Sequence, residues 1–413
     1  MTNRKIINVQ TNINNFIPQN SEDKLEYFNP SQQKVYKEKK HTVNRRKQAH
    51  KYREEFGLDI DQEKVELPLV WSNDRMSITT PTEIKVNVNK TYSQDWEAYN
   101  QAQTREKVIF LELLSELTSQ IPKQKYKGNG RPTADIGEMI FSICLKTYLD
   151  FSSRRTESDI RLVQQLGYIT HVPHFNTILK YLNKPELKEV LKVLIEVSAI
   201  PLRQVENTVA VDASGFSTSM FGRWVDIREK RQERRLFKKA HIVCGTQTNT
   251  IVSVEITDGH VHDSLMFDEI VKTAFENFDI KELYADMGYS SRKNLHTVAS
   301  LGAVPYIPFK KNSRRITHGY PIWSHMFNYF KYNRDKFMEH YHQRSNVESV
   351  FSMMKRKQGI NLKTKNDIAQ VNEIMCKCLV HNICVLIQEM FELGIVVDFH
   401  EDLMEEFMCK IKI

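Results

Sequence analysis

The sequence predicts a mixed α/β protein, in which a sheet flanked by helices follows a helical domain and a basic, polar N-terminal arm. Three observations predict this order. Short, β-branched apolar runs of strand length begin at Thr208 and alternate with runs of helical period. Residues 104–200 have apolar side chains at helical spacing instead. The first 95 residues are rich in Asn, Gln and Lys and show neither period, which is typical of a segment without a packed core.

The predicted arm, residues 1–95, contains a strongly basic stretch. Positions 34–53 hold nine Lys or Arg and one Glu. Such a density of cations suits contacts with phosphate groups. A solvated, charged helix would have the same composition, so the sequence leaves both interpretations open.

The next segment, residues 96–203, is predicted to be a helical domain that binds DNA or mediates oligomerisation. Five runs with helical period are interrupted by breaks such as KGNGRPT. They begin near positions 105, 133, 158, 174 and 185. Short helices with interspersed Arg and Lys are typical of a helix-turn-helix reader of DNA, but an ordinary helical bundle gives the same pattern.

The segment after Thr208 is predicted to form the sheet. Apolar runs at 208–216, 235–246 and 250–259 indicate a three-strand meander. A helix at 264–278, a strand at 282–289, a helix at 291–302 and a strand at 303–309 follow, which gives the order β-β-β-α-β-α-β. A long helix is expected to begin near Tyr341 and another to cover 366–393, leaving a C-terminal tail at 396–413.

Composition limits the class of partner and the compartment. The net charge of +8 favours a polyanion such as nucleic acid, although many basic proteins bind none. The six cysteines have neither disulfide-framework nor zinc-site spacing, and His260, His262 and Asp263 lack a third His or Cys, so no zinc is expected. No signal peptide or membrane span is predicted, and the cytoplasm is the expected location.

Two aspartates follow predicted strands. Asp212 ends the run TVAV and Asp286 ends ELYA. Carboxylates at the ends of neighbouring strands can converge above a sheet, where open α/β sheets place ligands. An aspartate that only caps a turn would occupy the same kind of position.

A third feature lies in YHQRSNVESVFSMMK. Tyr341, Arg344, Glu348 and Lys355 are spaced so that one helical face would carry all four. Such a face would supply a carboxylate for metal binding, a guanidinium for phosphate and a further cation. A solvated polar stripe with an ion pair between Arg344 and Glu348 is the alternative.

The spacing Tyr-x2-Arg-x3-Glu-x6-Lys is the signature of the DDE transposases of bacterial and archaeal insertion sequences, and this sequence resembles that family at all four positions. VAVDASGF around Asp212, TDGHVHDS, and YADMGYSSRKN around Asp286 resemble other blocks of the family in the same order. GRPT and PHFNTILKYL resemble its N-terminal region. The resemblance covers residues from about 130 to 395.

The resemblance implies a ribonuclease-H-like catalytic core at residues 204–395. In it, Asp212, Asp286 and Glu348 would bind two Mg²⁺ or Mn²⁺ ions, as suits hard cations and two-metal phosphoryl transfer. The implied activity is cleavage of DNA at the ends of an insertion sequence and joining of the 3′ hydroxyl ends to target DNA. Only 62 positions separate Asp286 from Glu348, so the family's β-rich insertion is absent and the excision route stays open.

Further residues are expected to contact DNA. The stretch Arg223–Lys239 holds eight Lys or Arg and three acids, and it is interpreted as a phosphate track or, alternatively, as a solvated hairpin. The predicted DNA-binding residues are Tyr341, Arg344, Lys355, Lys238, Lys239, Arg314 and Arg315.

The expected partner is double-stranded DNA, both the element ends and the target, in a nucleoid-associated prokaryotic protein that has no membrane partner. A homodimer is expected because pairing two DNA ends requires two protein copies. Two alternatives remain open. One is a metal-dependent nuclease on the same fold that does not join DNA, and the other is a domesticated DNA-binding protein without catalysis.

Overall fold

The computed structural model of the protein describes residues 95–122, 133–218, 237–397 and 399. The chain divides into two units. One comprises residues 1–102 and 389–396. Its described residues include the start of the helix that begins at Trp96 and the end of the helix that ends at Glu392. The other comprises 103–388 and 397–413 and contains the sheet. The basic stretch at 34–53 and most of the run at 223–239 lie outside the described residues.

In the described residues before the sheet there are five α-helices, which confirms the helical prediction for residues 104–200. They are α1 (Trp96–Ser119), α2 (Ile136–Tyr148), α3 (Ser153–Gln165), α4 (Phe175–Leu182) and α5 (Leu187–Ala199). Polar caps set several of their starts. The Asp135 carboxylate, for example, accepts hydrogen bonds from the first free amides of α2, at Gly137 (2.8 Å) and Glu138 (3.2 Å).

The predicted β-β-β-α-β-α-β order is confirmed. The strands are β1 (Thr208–Ser217), β2 (Phe237–Gly245), β3 (Ile251–Asp258), β4 (Glu282–Ala285) and β5 (Val304–Tyr306), with α6 (Asp263–Asn277) and α7 (Arg292–Ser300) between them. The sheet has the order β3-β2-β1-β4-β5. β1, β2 and β3 pair antiparallel, whereas β4 and β5 run parallel to β1. The protein is therefore a mixed α/β fold with a five-strand mixed sheet.

The segment between β5 and the last helices differs from the prediction. Two helices that the sequence did not indicate, α8 (Pro321–Tyr332) and α9 (Arg334–Tyr341), occupy it. A 3-10 turn at His342–Arg344 then separates α9 from α10 (Ser345–Gln358). A 3-10 turn advances by about 120° per residue rather than 100°. Over three residues this rotates Tyr341 by about 60° relative to a continuous α-helix, and the helix expected to begin near Tyr341 begins at Ser345 instead.

Helix α10 buries one face and exposes the other, as its apolar spacing predicts. Its buried apolar residues are Val347, Val350, Phe351 and Met354. The helix ends at Gln358 and is followed by Gly359, whose φ of 78° lies in the left-handed region that favours glycine. The polar face of α10 is thereby held in a fixed orientation above β1.

The last helix, α11 (Asp367–Glu392), belongs to the core. It is long and apolar enough to cross a membrane by length and composition, but 83% of its apolar window is buried inside the protein. Asn382 on this helix is fully buried and pairs with the edge strand β3. Its side chain accepts from the amide of Ile251 (2.8 Å) and donates to the carbonyl of the same residue (2.8 Å). These bonds satisfy backbone groups that an edge strand would otherwise leave unpaired.

His381, next to Asn382, makes the stability of the fold sensitive to acid. Its Nε2 donates to the carbonyl oxygen of Asn249 (2.9 Å), and burial lowers the pKa of His381 to about 4, although that hydrogen bond opposes the shift. An unfolded histidine takes up a proton near pH 6.5, whereas His381 in the fold stays neutral down to about pH 4. The free energy of unfolding therefore falls as the pH decreases through this window.

His381→Gln keeps an amide donor for Asn249 but removes the titration. Between pH 7 and pH 5 we expect the free energy of unfolding to fall by about 2 kcal/mol more for the wild type than for this variant. Urea titrations of both proteins at the two pH values measure the difference. If the free energy of unfolding changed equally with pH in the two proteins, His381 would take up its proton as readily in the folded state as in the unfolded state.

Candidate active site

The two aspartates follow the last paired residues of two neighbouring parallel strands, but Asp212 lies within β1, which continues to Ser217, and not at its end as the sequence predicted. The last paired residues of β1 and β4 are Val211 and Ala285, which lie opposite each other. Asp212 directly follows Val211, and Asp286 directly follows Ala285. Parallel strands are about 4.8 Å apart, so the two side chains leave the sheet at the same level. The structure thus brings together the two positions that the sequence singled out.

Local backbone geometry holds Asp286 in place. Its carboxylate accepts a hydrogen bond from the Gly288 amide (2.7 Å) and so caps the 3-10 turn Met287–Tyr289. A β-carbon at Gly288 would lie 2.9 Å from the Asp286 carboxylate oxygen Oδ1. Position 288 therefore requires glycine if the carboxylate is to keep this position.

Arg344 connects the first and third carboxylates. One guanidinium nitrogen lies 3.1 Å from the Asp212 carboxylate, and the other lies 2.8 Å from the Glu348 carboxylate. Asp212 and Arg344 are largely buried, whereas the side chain of Glu348 is 61% exposed. The buried Nε of Arg344 has no hydrogen-bond partner among the described residues, so the guanidinium keeps a donor available.

The electrostatics of Asp212 reflect a cluster of negative charge. Burial raises the pKa of Asp212, and the carboxylates of Asp286 and Glu348 raise it further. The Ala213 amide, which donates to Asp212 (2.8 Å), and the Arg344 guanidinium oppose that shift. Three carboxylates thus influence one another around a single arginine.

The residues fit a hard divalent cation by chemistry. Asp212, Asp286 and Glu348 offer only carboxylate oxygens, which Mg²⁺ and Mn²⁺ prefer, and their mutual repulsion would be relieved by a cation. In the described part of the chain, however, no group of three His, Cys, Asp or Glu side chains is close enough to hold a metal ion. Arg344 holds two of the three carboxylates by ion pairs instead.

Lys355 lies against β1, beyond Arg344. Its Nζ donates to the Ser214 hydroxyl (2.6 Å) and lies 5.4 Å from the centre of the Phe216 ring. Burial lowers the pKa of Lys355. Asp212 and Ser214 are two residues apart on one strand and so point to the same face. Lys355 therefore lies on the face of β1 that carries Asp212.

Tyr341 ends α9 and is half-buried beside the same arginine. Burial raises the pKa of Tyr341, and the charge of Arg344 opposes the shift. The carboxylates of Asp286 and Asp212 also raise that pKa. Tyr341 therefore lies within electrostatic reach of the candidate site.

Lys238 and Lys239 are engaged within the protein. The Lys238 ammonium is buried and pairs with Asp258 (2.6 Å) and with Asp367. Lys239 pairs with Asp263 (2.8 Å) and donates to the carbonyl of Val261 (2.9 Å). Binding of a phosphate by either ammonium would therefore require one of these ion pairs to open.

Arg314 and Arg315, by contrast, are exposed on an ordered loop before α8. The Trp323 indole donates to the carbonyl of Arg314 (2.7 Å), and the Arg292 guanidinium donates to the carbonyl of Ile316 (3.0 Å) while lying over the Trp323 ring. Lys310 is exposed on the same loop. The tertiary contacts fix the backbone of this loop and leave its cations directed to solvent.

The loop belongs to a basic region between the second and third candidate carboxylates. Residues 287–336 contain nine Lys or Arg and only one acid. Among the described residues, no carboxylate pairs with Lys310, Lys311 or Arg314. Arg315 donates from its Nε to the Ser324 hydroxyl (3.2 Å). This part of the chain therefore carries a strongly one-sided positive charge between Asp286 and Glu348 in the sequence.

Sequence reasoning missed three residues of the site: Ser214, Gly288 and Tyr289. Gly288 and Tyr289 lie in the quoted stretch YADMGYSSRKN directly after Asp286, so their proximity to the site was visible in the chain. Ser214 follows Asp212 by two positions and shares its face of β1. A search for same-face neighbours of each aspartate would have found Ser214.

Comparisons with known proteins give one family match. Residues 203–383 match the family model described as "Transposase DDE domain", a segment that includes Asp212, Asp286 and Glu348 but less than half of the chain. The chain is also similar to the solved "Cryo-EM structure of piggyBac transposase synaptic complex with hairpin DNA". That similarity has 10% identity and a TM-score of 0.37 and covers 75% of this chain and 81% of that chain. Such a TM-score does not establish a common fold. No curated protein matches the chain in sequence.

Proposed function

We propose that the protein cleaves DNA at the ends of an insertion sequence and joins the resulting 3′ hydroxyl ends to target DNA. The premise is that residues 203–383 carry a transposase DDE domain, which makes the protein an enzyme of the DDE transposase class. The observation that carries this proposal is that Asp212 and Asp286 directly follow Val211 and Ala285, the last paired residues of two adjacent parallel strands. Arg344 connects Glu348 to this pair, because its guanidinium forms ion pairs with both Asp212 and Glu348.

The strand order supports a ribonuclease-H-like core. Three antiparallel strands are extended by two parallel ones, and Asp212 lies on the central strand β1. The catalytic core would cover residues 204–395, after a helical DNA-binding or oligomerisation domain at 96–203 and an arm at 1–95. We further propose a homodimer, because joining two DNA ends at one target requires two copies of the active site. Its place would be the prokaryotic cytoplasm, at the nucleoid.

Asp212, Asp286 and Glu348 would hold two Mg²⁺ or Mn²⁺ ions. DDE transposases in general use divalent metals, and when bound such a pair supplies charge neutralisation and an activated water for displacement at phosphorus. The protein's own part is positioning. The Gly288 amide fixes the Asp286 carboxylate (2.7 Å), and the Ala213 amide fixes that of Asp212 (2.8 Å). Both carboxylates are therefore oriented before DNA arrives.

Arg344 would change partner during the reaction. In the structure it neutralises Asp212 and Glu348, and its Nε has no partner among the described residues. A guanidinium with unused donors suits bidentate binding of a phosphate. Lys355, half-buried against Ser214, would add a positive charge on the same face of β1. Together with Tyr341, these side chains would bind the DNA strand whose phosphate is attacked.

The loop at residues 310–315 would bind the DNA backbone beside the active site. Replacing Lys310 and Arg314 by alanine is expected to weaken binding to duplex DNA about ten-fold and to lower the slope of log affinity against log salt by about 2, because each lost phosphate contact releases about one counterion fewer. Fluorescence anisotropy over a series of salt concentrations measures both quantities.

A matched control separates local contact from net charge. Arg203→Ala with Lys272→Ala removes the same charge from exposed positions outside the loop. We expect this control to retain the wild-type salt slope. Equal loss of affinity in the two double variants would mean that only the overall field of the protein attracts DNA and that the loop makes no contact.

The test of the proposed function uses DNA that carries the protein's own gene with its flanks. The purified full chain is incubated with this DNA and Mg²⁺ or Mn²⁺, and new ends are mapped by sequencing. The expected result is nicks with free 3′ hydroxyls at the element boundaries, together with products joined to a second DNA. Binding without any cleavage under either metal would overturn the proposal in favour of a DNA-binding protein without catalysis.

The same experiment distinguishes the second candidate, a metal-dependent nuclease. Such an enzyme would release cut DNA but give no strand-transfer products, even with target DNA in excess. The family match and the carboxylate geometry fit both activities, because cleavage and joining use the same kind of site. We favour the transposase because the model that matches the chain is that of a transposase domain.

A further inference from the structure

Ile316 is an exposed isoleucine at the end of the basic loop that precedes α8. The residue is 54% exposed, and it directly follows Arg314 and Arg315, which are exposed as well. Lys310 and Lys311 are exposed earlier in the same loop. A single apolar residue at a protein surface is common and by itself indicates no function. Ile316 differs from such a residue in how firmly the protein holds it and in the charge that surrounds it.

Two hydrogen bonds fix the backbone at Ile316. The Arg292 guanidinium donates to the carbonyl of Ile316 (3.0 Å), and the Trp323 indole donates to the carbonyl of Arg314 (2.7 Å). The two donors also contact each other, because the guanidinium carbon of Arg292 lies 4.7 Å from the centre of the buried Trp323 ring. The exposed isoleucine is therefore in place before a partner binds, which lowers the entropic cost of binding.

The charge of the loop indicates a polyanion as the partner. Among the described residues, no carboxylate pairs with Lys310, Lys311 or Arg314. The loop also lies within residues 203–383, the segment that matches a transposase domain, so the expected polyanion is DNA. Duplex DNA offers phosphates at the edges of its grooves and stacked bases between them. Isoleucine is one of the side chains that enter the minor groove between bases, while Arg and Lys contact the groove beside it.

We infer that Ile316 is an apolar wedge, which enters the minor groove of bound DNA, partly unstacks one base step and bends the duplex. This inference rests on the proposed function, since it takes the loop at residues 310–315 to bind DNA, and it adds a change in the shape of that DNA. Phosphate contacts through Lys310 and Arg314 would hold the duplex against the loop. Pyrimidine–purine steps such as TA unstack most readily, so the loop would favour sites that contain such a step.

Ile316→Ser tests the inference, because it removes the apolar side chain and leaves the cations of the loop in place. The full-length protein is bound to a duplex of about 30 base pairs, which is straight when free because it is much shorter than the persistence length of DNA. The duplex has a fluorophore at each end and 2-aminopurine in one central TA step. Energy transfer between the ends reports the bend, and 2-aminopurine fluorescence reports unstacking.

The wild type should bend the saturated duplex by about 20–90° and increase the fluorescence of 2-aminopurine. Ile316→Ser should lose most of both signals. The slope of log affinity against log salt should stay at the wild-type value, because the phosphate contacts remain. Ile316→Leu should restore both signals, since leucine is also a side chain that enters base steps.

Ile360→Ser is the matched control. Ile360 is an isoleucine of similar exposure (57%) outside the basic loop. The neighbouring cations there are paired within the protein, Lys357 with Glu106 (2.6 Å) and Lys363 with Asp150 (2.6 Å). This variant should bend DNA as the wild type does.

Three results would contradict the inference. If the wild type binds the duplex without bending it, or if Ile316→Ser bends it equally, Ile316 is no wedge, although the proposed phosphate contacts of the loop stand. An unchanged bend together with an altered oligomeric state in Ile316→Ser would assign the isoleucine to a protein interface instead. If the wild type does not bind duplex DNA at all, the proposed function itself fails, and the inference fails with it.

Discussion

Asp286→Asn is expected to reduce DNA cleavage by about 10³-fold or more while leaving DNA binding intact, because a neutral amide binds a divalent cation far less well than a carboxylate and several kcal/mol of transition-state stabilisation are lost. The fold should tolerate the change. The Asp286 side chain caps a turn by accepting from the Gly288 amide (2.7 Å), and asparagine caps turns in the same way. Cleavage of element-end DNA in single-turnover reactions measures the rate.

Asp279→Asn serves as its control. Asp279 is an exposed aspartate that precedes β4 and pairs with Lys281 (2.8 Å), so it lies at the opposite end of that strand from Asp286. This variant should cleave at the wild-type rate. If Asp286→Asn cleaves within a few-fold of the wild type, Asp286 is a turn cap only, and the catalytic assignment of this strand end is wrong.

Arg344→Gln is expected to change metal binding and cleavage in opposite directions. Without metal, Arg344 neutralises Asp212 and Glu348 at 3.1 Å and 2.8 Å, so a cation must displace these ion pairs. Partly exposed ion pairs contribute about 1 kcal/mol or less, and their loss should lower the Kd for Mn²⁺ by up to about five-fold. Cleavage at saturating Mn²⁺ should still fall by about 10²-fold, because a phosphate ligand is lost from the transition state.

The two effects are measured on the same preparation by Mn²⁺ titration and by single-turnover cleavage. Arg356→Gln is the matched control, since Arg356 is an exposed arginine on the same helix that contacts Ser352 (2.9 Å). It should leave both quantities unchanged. Weaker Mn²⁺ binding in Arg344→Gln would contradict the competition between the guanidinium and the cation, and would indicate that Arg344 orients the carboxylates for metal binding.

The elements with the clearest periodicity were predictable from the chain. Strands β1, β2 and β3 follow runs of β-branched residues, and the burial of Val347 and Phe351 follows from apolar spacing along α10. Helices α8 and α9 were not predicted. Their aromatic residues pack with β5, as in the T-shaped contact of Tyr306 with Tyr329 (6.5 Å), and such long-range contacts are not visible in a local period.

Some residues of the site could likewise be predicted from the sequence, whereas others could not. Asp212, Asp286 and Glu348 could be named from strand ends and from the spacing around Glu348, because these patterns are local in the sequence. The buried hydroxyl of Tyr289, which has no hydrogen-bond partner among the described residues, could not be predicted, since its burial depends on Phe267 and its lack of a partner depends on every neighbour. The ion pair of Lys238 could not be predicted either, because its partner Asp367 is remote in sequence from the basic run.

The sequence by itself therefore determined the order of helices and strands as far as β5, the positions of the three carboxylates and the basic character of the region between the last two. These properties depend on residue type and on local spacing, which a chain carries without folding. Only the tertiary structure decided that Asp212 and Asp286 follow paired residues of adjacent strands, that Arg344 pairs with two carboxylates and that Lys238 is buried in an ion pair. Strand pairing and side-chain contact join residues that are distant in sequence, so they are fixed by packing of the whole domain rather than by any local pattern.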